Sequence, residues 1–170
     1  ADILAQQAHL GHGQDVVRAR SFNHFGPGQG EAGVCSALAA RIARCEMACG
    51  TSIAVGNLQA RRDFTDVRDV VRAYRHLAVR GRAGQAYNVC SGTAVSIETI
   101  LEILLGLADQ PIEVVGDQNL FRPVDLPELR GDASRLQAET GWSPQHSMGA
   151  TLSEVLDEWW GRLRREPEAD

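Results

Sequence analysis

No stretch of this chain approaches the roughly 20 consecutive apolar residues that a bilayer-spanning helix needs. The opening residues 1–14 carry no basic region ahead of an apolar core, so no secretory signal is read there. A basic stripe is missing too: 17 basic and 22 acidic residues are interspersed to a net charge of −5. That balance excludes nucleic acid as a partner, although a local arginine cluster can still grip a small phosphate. The four cysteines, Cys35, Cys45, Cys49 and Cys90, form no CxxC pair. Cys45 and Cys49 stand one helical turn apart on an expected buried face, and such a pair alone makes no zinc site. Core thiols in a reducing cytoplasm, without a metal, are therefore expected. Absent as well are G-x-x-x-x-G-K-[ST], G-x-S-x-G, H-E-x-x-H and a dinucleotide glycine fingerprint between a strand and a helix. Gly26, Gly28, Gly30 and Gly33 imitate a phosphate loop, but Pro27 removes a backbone donor from its centre.

What is present is enough for one core: 170 residues, 44% of them hydrophobic. Ala1 to His12 reads as the tail of a helix already under way, with no N-cap ahead of it, which points to a truncated start. Asp15 to Arg20 is a short strand and Ser21 to Gly33 a loop. Val34 to Cys49 is a helix with Val34, Leu38, Ile42, Cys45 and Cys49 on one stripe, stopped by Gly50. Ile53 to Val55 is a strand. Asp66 caps the next helix, whose buried face is Val67, Val70, Val71, Tyr74, Leu77 and Ala78. Ala86 to Cys90 is a strand, Ser96 caps a helix bearing Ile97, Ile100, Leu101, Leu104 and Leu105, and Ile112 to Val115 is a strand. A Pro-rich irregular stretch from Phe121 to Leu129 precedes a short helix near Ala133 to Thr140. The last helix has a capping-box pattern, Thr151-Leu-Ser-Glu154, and an apolar face of Leu152, Val155, Leu156, Trp159 and Leu163. Strands separated by helices predict an α/β fold with about four short strands.

Four clusters exceed what packing requires: Arg20 to Gly28; Gly56-Asn57 through Arg61 to Asp69; Tyr87 to Gly92; and Arg122-Pro123-Val124-Asp125 followed by Gly131-Asp132. Their order and spacing (R-x-F-N-H-x-G-P-G-Q, then G-N-x-x-x-x-R-D-F-x-D-V-x-D, then R-P-x-D) resemble the extended short-chain dehydrogenases that act on nucleotide sugars. The GDP-mannose branch is nearest: the GDP-4-keto-6-deoxymannose reductases and GDP-mannose 4,6-dehydratases. The resemblance runs from Ala1 to about Trp160, and the GPGQ ending favours the reductases. It implies the C-terminal part of a Rossmann-type α/β enzyme. Residues 1–30 would close the Rossmann part, 31–165 form a substrate-binding domain with interleaved Rossmann elements, and 166–170 a tail.

The same resemblance implies that the family's Gly-rich cofactor loop and catalytic Tyr-x-x-x-Lys pair precede a segment like Ala1–Leu4, leaving no catalytic residue in this chain. The expected activity of the intact enzyme is NADPH-dependent reduction of GDP-4-keto-6-deoxy-D-mannose to GDP-D-rhamnose. A GDP-mannose 4,6-dehydratase, another sugar epimerase or dehydratase, and a non-catalytic nucleotide-sugar-binding fragment are the alternatives. Asn23 matches a substrate-binding asparagine, and this role is favoured over the alternative of an Asx turn in a Gly-Pro loop. Phe22 and His24 match positions flanking NADP (or NAD), bound mainly by residues outside this chain. Arg62 matches a diphosphate-contacting arginine, whose planar fork engages two phosphate oxygens; ion pairing with Asp63, Asp66 or Asp69 is the alternative, and Arg61 is read as solvated. Arg122 and Asp125 match a diphosphate and ribose pair, against a local salt bridge worth under about 1 kcal/mol. A GDP-linked sugar as partner, a homodimer and a cytoplasmic location, with neither membrane nor nucleic acid, complete the expectation.

Overall fold

The computed structural model describes residues 1–121 and 126–165. Its described residues form six α-helices and eight short strands, in two compact units of interleaved segments. The first unit takes residues 1–24, 63–93 and 130–146; the second takes 25–62, 94–129 and 147–170.

In the first unit, α1 (Asp2–His12) leads to β1 (Arg18–Ser21), which pairs in parallel with β5 (Ala86–Val89), Arg18 opposite Ala86 and Ser21 opposite Val89. Between them in sequence runs α3 (Val67–Arg80), capped by Asp66, whose carboxylate accepts from the Arg68 amide at 2.7 Å. The helix α5 (Ser134–Thr140) closes the unit. Its core gathers Val70, Ala73, Leu77, Tyr87, Val89, Cys90, Ala133, Leu136 and Trp142, with Val17 and Phe22 at the margin.

Two expectations change here. The strand begins at Arg18 and not at Asp15, with Val17 packing as side chain against the core instead. The buried stripe of α3 is Asp69, Val70, Ala73 and Leu77, whereas Val71 is 59% exposed and Tyr74 and Ala78 face outward too. Ala73 supplies the close approach, and Tyr74 turns its hydroxyl 2.7 Å from Ser21 Oγ.

In the second unit α2 (Val34–Met47), α4 (Ile97–Leu107) and α6 (Met148–Leu163) pack mutually through Leu38, Ile42, Ile100, Leu104, Leu152 and Leu156. Ser96 caps α4 by accepting from the Thr99 amide at 3.0 Å. The strand β3 (Ser52–Val55) runs parallel to β7 (Glu113–Gly116). Trp159 is buried, donates to Ser36 Oγ at 2.8 Å, and carries the Arg162 guanidinium 4.8 Å above its ring. Trp160 is half-buried and donates to Glu46 at 2.7 Å.

Thr151, expected to open the last helix through a capping box, lies inside α6 (Met148–Leu163). Ser147 caps α6 four residues earlier, accepting from Ala150 at 3.3 Å, and Thr151 donates back to the Ser147 carbonyl. Cys49 leaves the α2 stripe: it lies past the helix end at φ 51° and is exposed, while Cys35, Cys45 and Cys90 are buried. Burial pushes the Cys35 thiol up to about 12, and burial with the nearby Asp63 charge pushes Cys90 up to about 11. The remaining strands are β2 (Asn23–Phe25), inside the expected loop, β4 (Arg61–Asp66), β6 (Ala94–Ser96) and β8 (Glu128–Leu129).

Candidate functional site

Three of the four sequence clusters meet at one buried carboxylate of the first unit. Asp63 is 0% exposed. Its Oδ1 accepts from the Ser91 amide at 2.8 Å and the Ser91 hydroxyl at 2.7 Å, and its Oδ2 from the amides of Gly92 at 2.9 Å and Gly131 at 3.2 Å. Four donors use every lone-pair direction of the group, which is what lets a carboxylate be buried at all. Gly92 sits at φ +84°, a conformation that requires glycine in this turn. Gly131 is glycine for space: a Cβ there would lie 2.4 Å from Cys90 Sγ and 3.0 Å from the Phe22 ring. Phe22 of the first cluster thus borders the same point. Sequence reasoning treated Asp63 only as an ion-pair partner for Arg62; its identity as a hub depends on donors 28 to 68 residues away.

The other two acids of this stretch are engaged likewise. Asp66 takes the Arg68 guanidinium at 2.7 Å besides capping α3. Asp69, named above as a possible ion-pair partner of Arg62, is 0% exposed; its Oδ2 accepts from the Gln145 and His146 amides, both at 2.9 Å. Its Oδ1 takes Arg72 and lies 3.2 Å from His146 Nδ1, close enough for attraction but without the alignment of a hydrogen bond. Burial pushes the Asp69 carboxyl up, but the His146 and Gln145 amides and then the His146 imidazole outweigh it and hold it below the usual aspartate value.

The candidate binding residues fall as follows. Asn23 opens β2, and its amide nitrogen is buried without a hydrogen-bond partner among the described residues. His24 is exposed, its Nδ1 3.1 Å from the Phe22 carbonyl. Phe22 is half-buried and donates its backbone N–H to Val89. Arg62 stands in β4 and donates to the Arg61 carbonyl at 2.7 Å. Arg61 is not merely solvated: it pairs with Glu128 at 3.1 Å and donates to the Ala94 carbonyl at 2.8 Å. Arg122 and Asp125 lie outside the described residues. In the second unit β8 pairs in parallel with the start of β4, Arg61 opposite Glu128 and Arg62 opposite Leu129. Among the described residues no group of His, Cys, Asp or Glu is placed to hold a metal, and no helix is long and apolar enough to cross a membrane.

Parallel strand pairs joined through helices define the chain as α/β of the Rossmann type used by the extended short-chain epimerases and dehydratases. A UDP-glucose 4-epimerase from Thermotoga maritima shares this fold at a TM-score of 0.81 and 21% identity. The chain belongs to the GDP-mannose 4,6 dehydratase family, whose model matches residues 1–155. It is 37% identical over 167 residues to the GDP-6-deoxy-D-mannose reductase of Pseudomonas aeruginosa, spanning 98% of this chain and 55% of that protein. It is 30% identical over 149 residues to GDP-mannose 4,6 dehydratase 2 of Arabidopsis thaliana, spanning 85% of this chain and 39% of that one. The solved structure of RMD from Pseudomonas aeruginosa complexed with NADPH superimposes at a TM-score of 0.88 and 37% identity, over 95% of this chain and 54% of that one. The chain thus spans about half the length, or less, of the curated relatives it matches.

Proposed function

We propose that the protein is a nucleotide-sugar reductase using NADPH to reduce the C4 ketone of GDP-4-keto-6-deoxy-D-mannose to GDP-D-rhamnose, and that these residues supply its sugar-nucleotide pocket. The likeness to a GDP-6-deoxy-D-mannose reductase along 98% of the chain supports the substrate class. The observation that carries the binding role is the orphaned amide of Asn23. An unpaired buried donor costs about 1–3 kcal/mol, a penalty relieved when a sugar or phosphate oxygen accepts from it. Asn23 orients the sugar, Arg62 and Arg122 hold the diphosphate, and Asp125 accepts from the ribose hydroxyls.

Phe22 and His24 fit one flank of a nicotinamide cofactor: the imidazole is exposed and steadied beside the Phe22 carbonyl. The 170 residues carry no glycine fingerprint between a strand and a helix for the pyrophosphate, and no lysine at all for a Tyr-x-x-x-Lys pair. The cofactor supplies the hydride when bound; the residues of this chain bind and orient the ketone. Residues 1–30 are proposed to close the Rossmann part and 31–165 to form the substrate-binding domain, in a cytoplasmic homodimer.

The dehydratase reading stands second, favoured by the family model over residues 1–155. The two separate in one assay. Incubation with GDP-4-keto-6-deoxy-D-mannose should consume NADPH stoichiometrically with formation of GDP-D-rhamnose. Conversion of GDP-mannose to the 4-keto sugar without net cofactor consumption would replace the reductase reading by the dehydratase one.

A further inference from the structure

We propose that Gly131 is a positioning residue for the nicotinamide cofactor, serving as the seat of the Phe22 ring without touching the ligand itself. The inference rests on the reading above that Phe22 flanks the cofactor. Phe22, Asp63, residues 88–92 and residues 131–132 all belong to the first unit. Phe22 follows β1 and is fixed through its backbone on both sides. Its N–H donates to the Val89 carbonyl at 3.0 Å, and its carbonyl lies 3.1 Å from His24 Nδ1. The side chain packs at the margin of the core that contains Cys90, and the residue stays half-buried.

Gly131 reaches the same place from far along the chain. A Cβ there would lie 3.0 Å from Phe22 Cε2, 2.7 Å from Cys90 Cβ and closer still to Cys90 Sγ. Gly131 is not among the glycines of positive φ, so crowding and not backbone freedom excludes a side chain. The seat is also held on both sides. The Gly131 amide donates to the fully buried Asp63 carboxylate at 3.2 Å, and the Asp132 carbonyl accepts from Asn88 Nδ2 at 3.1 Å. Asn88 and Val89 are consecutive in β5, so one strand ties down both the Phe22 backbone and the chain beside its ring. A methyl group at position 131 presses on the ring, because Cys90, 0% exposed, has no room to yield. A flat heteroaromatic group resting on Phe22 needs the ring in an offset-stacked or edge-to-face position, which the seat sets.

The test titrates three probes into variants of the full-length protein: NADPH, adenosine 2′,5′-bisphosphate, which lacks the nicotinamide, and GDP. Gly131→Ala should raise the NADPH Kd by about threefold to tenfold, the worth of one aromatic contact, with the other two unchanged within about twofold. Phe22→Leu should weaken NADPH by a similar factor. Adding Gly131→Ala to Phe22→Leu should cost less than about twofold more, because the two changes remove one contact. Asp69→Asn is the stability control: its amide partners are Gln145 and His146, and it should melt lower while binding all three probes as wild type does. Should Gly131→Ala not fold, Asn88→Ala unties only the Asp132 carbonyl and should raise the NADPH Kd by about threefold.

A loss of adenosine bisphosphate affinity in step with NADPH, or an equal loss of NADPH affinity in Asp69→Asn, would reduce Gly131 to a structural residue and overturn the inference. If Phe22→Leu leaves NADPH affinity unaltered, the cofactor-flank reading falls and this inference with it. If Phe22→Leu weakens NADPH and neither Gly131→Ala nor Asn88→Ala does, the positioning role alone is wrong.

Discussion

Replacing Asp69 by alanine tests whether a buried carboxylate holds the first unit together. The substitution removes the acceptor of the Gln145 and His146 amides and the partner of Arg72. Breaking a buried charge pair costs about 3–5 kcal/mol, and two orphaned amides at about 1–3 kcal/mol each give a figure of the same order. The Trp142 indole still donates to the Asp69 carbonyl at 3.0 Å, because that is backbone, so the loss stays near the lower of these sums. At about 2–4 °C per kcal/mol for a chain of this size, the melting temperature should fall by roughly 6–20 °C. Asp69→Asn keeps one oxygen for the two amides and should cost less, about 1.5–3 kcal/mol. The pH dependence has a definite sign. The folded value of Asp69 lies below its unfolded one, so the stabilisation is complete above about pH 4 and is lost as the pH falls through the folded value. Thermal melts followed by circular dichroism between neutral pH and pH 3 should show a steep acid loss in wild type and a flatter one in Asp69→Ala. A variant melting within about 2 °C of wild type at neutral pH, with the same acid slope, would refute the reasoning.

Iodoacetamide should alkylate Cys49 in the native protein and reach Cys35, Cys45 and Cys90 only after denaturation, since these are buried and the first and last have raised thiol values; peptide mapping reads the result. Ser96→Ala should cost about 1 kcal/mol in chemical denaturation, because it strips the cap of α4. Gly131→Ala should destabilise by about 1–3 kcal/mol through the clash with Cys90, and Cys90→Ala should recover part of that loss in the double variant.

How legible these features were depended on the range of the interactions behind them. The helices α2 and α4 follow from a 3.6-residue period over 14 and 11 residues, and the caps Asp66 and Ser96 are local devices. The strand β7 was readable through its valines even though the whole strand is exposed. The strand β4 escaped because Asp63, Thr65 and Asp66, buried in it, are polar and carry no apolar alternation. The strands β2, β6 and β8 are two or three residues long, too short for any period. The R-D-F-x-D-V-x-D motif was visible as a cluster, but what its acids do was not. Their partners at Ser91, Gly131 and Gln145 come together only in the folded unit.

Those acids make a pattern that local rules do not predict. Asp63, Asp66 and Asp69 fall at every third residue across the junction of β4 and α3, and all three are buried. Three buried charges so close repel one another and demand desolvation, so on charge alone the stretch should be disfavoured. Each instead receives its own donors: the 91–92 turn and Gly131 for the first, the α3 terminus and Arg68 for the second, and residues 145–146 with Arg72 for the third. The helix dipole adds favourable potential for the second and third, which lie at the cap and in the first turn. The strand-to-helix junction therefore works as an anchor to which segments distant in sequence are tied, one carboxylate to each. Because the ties are separate, their consequences separate as well. Loss of the third releases residues 145–146, whereas loss of the first releases the Ser91–Gly92 turn and the Gly131 amide.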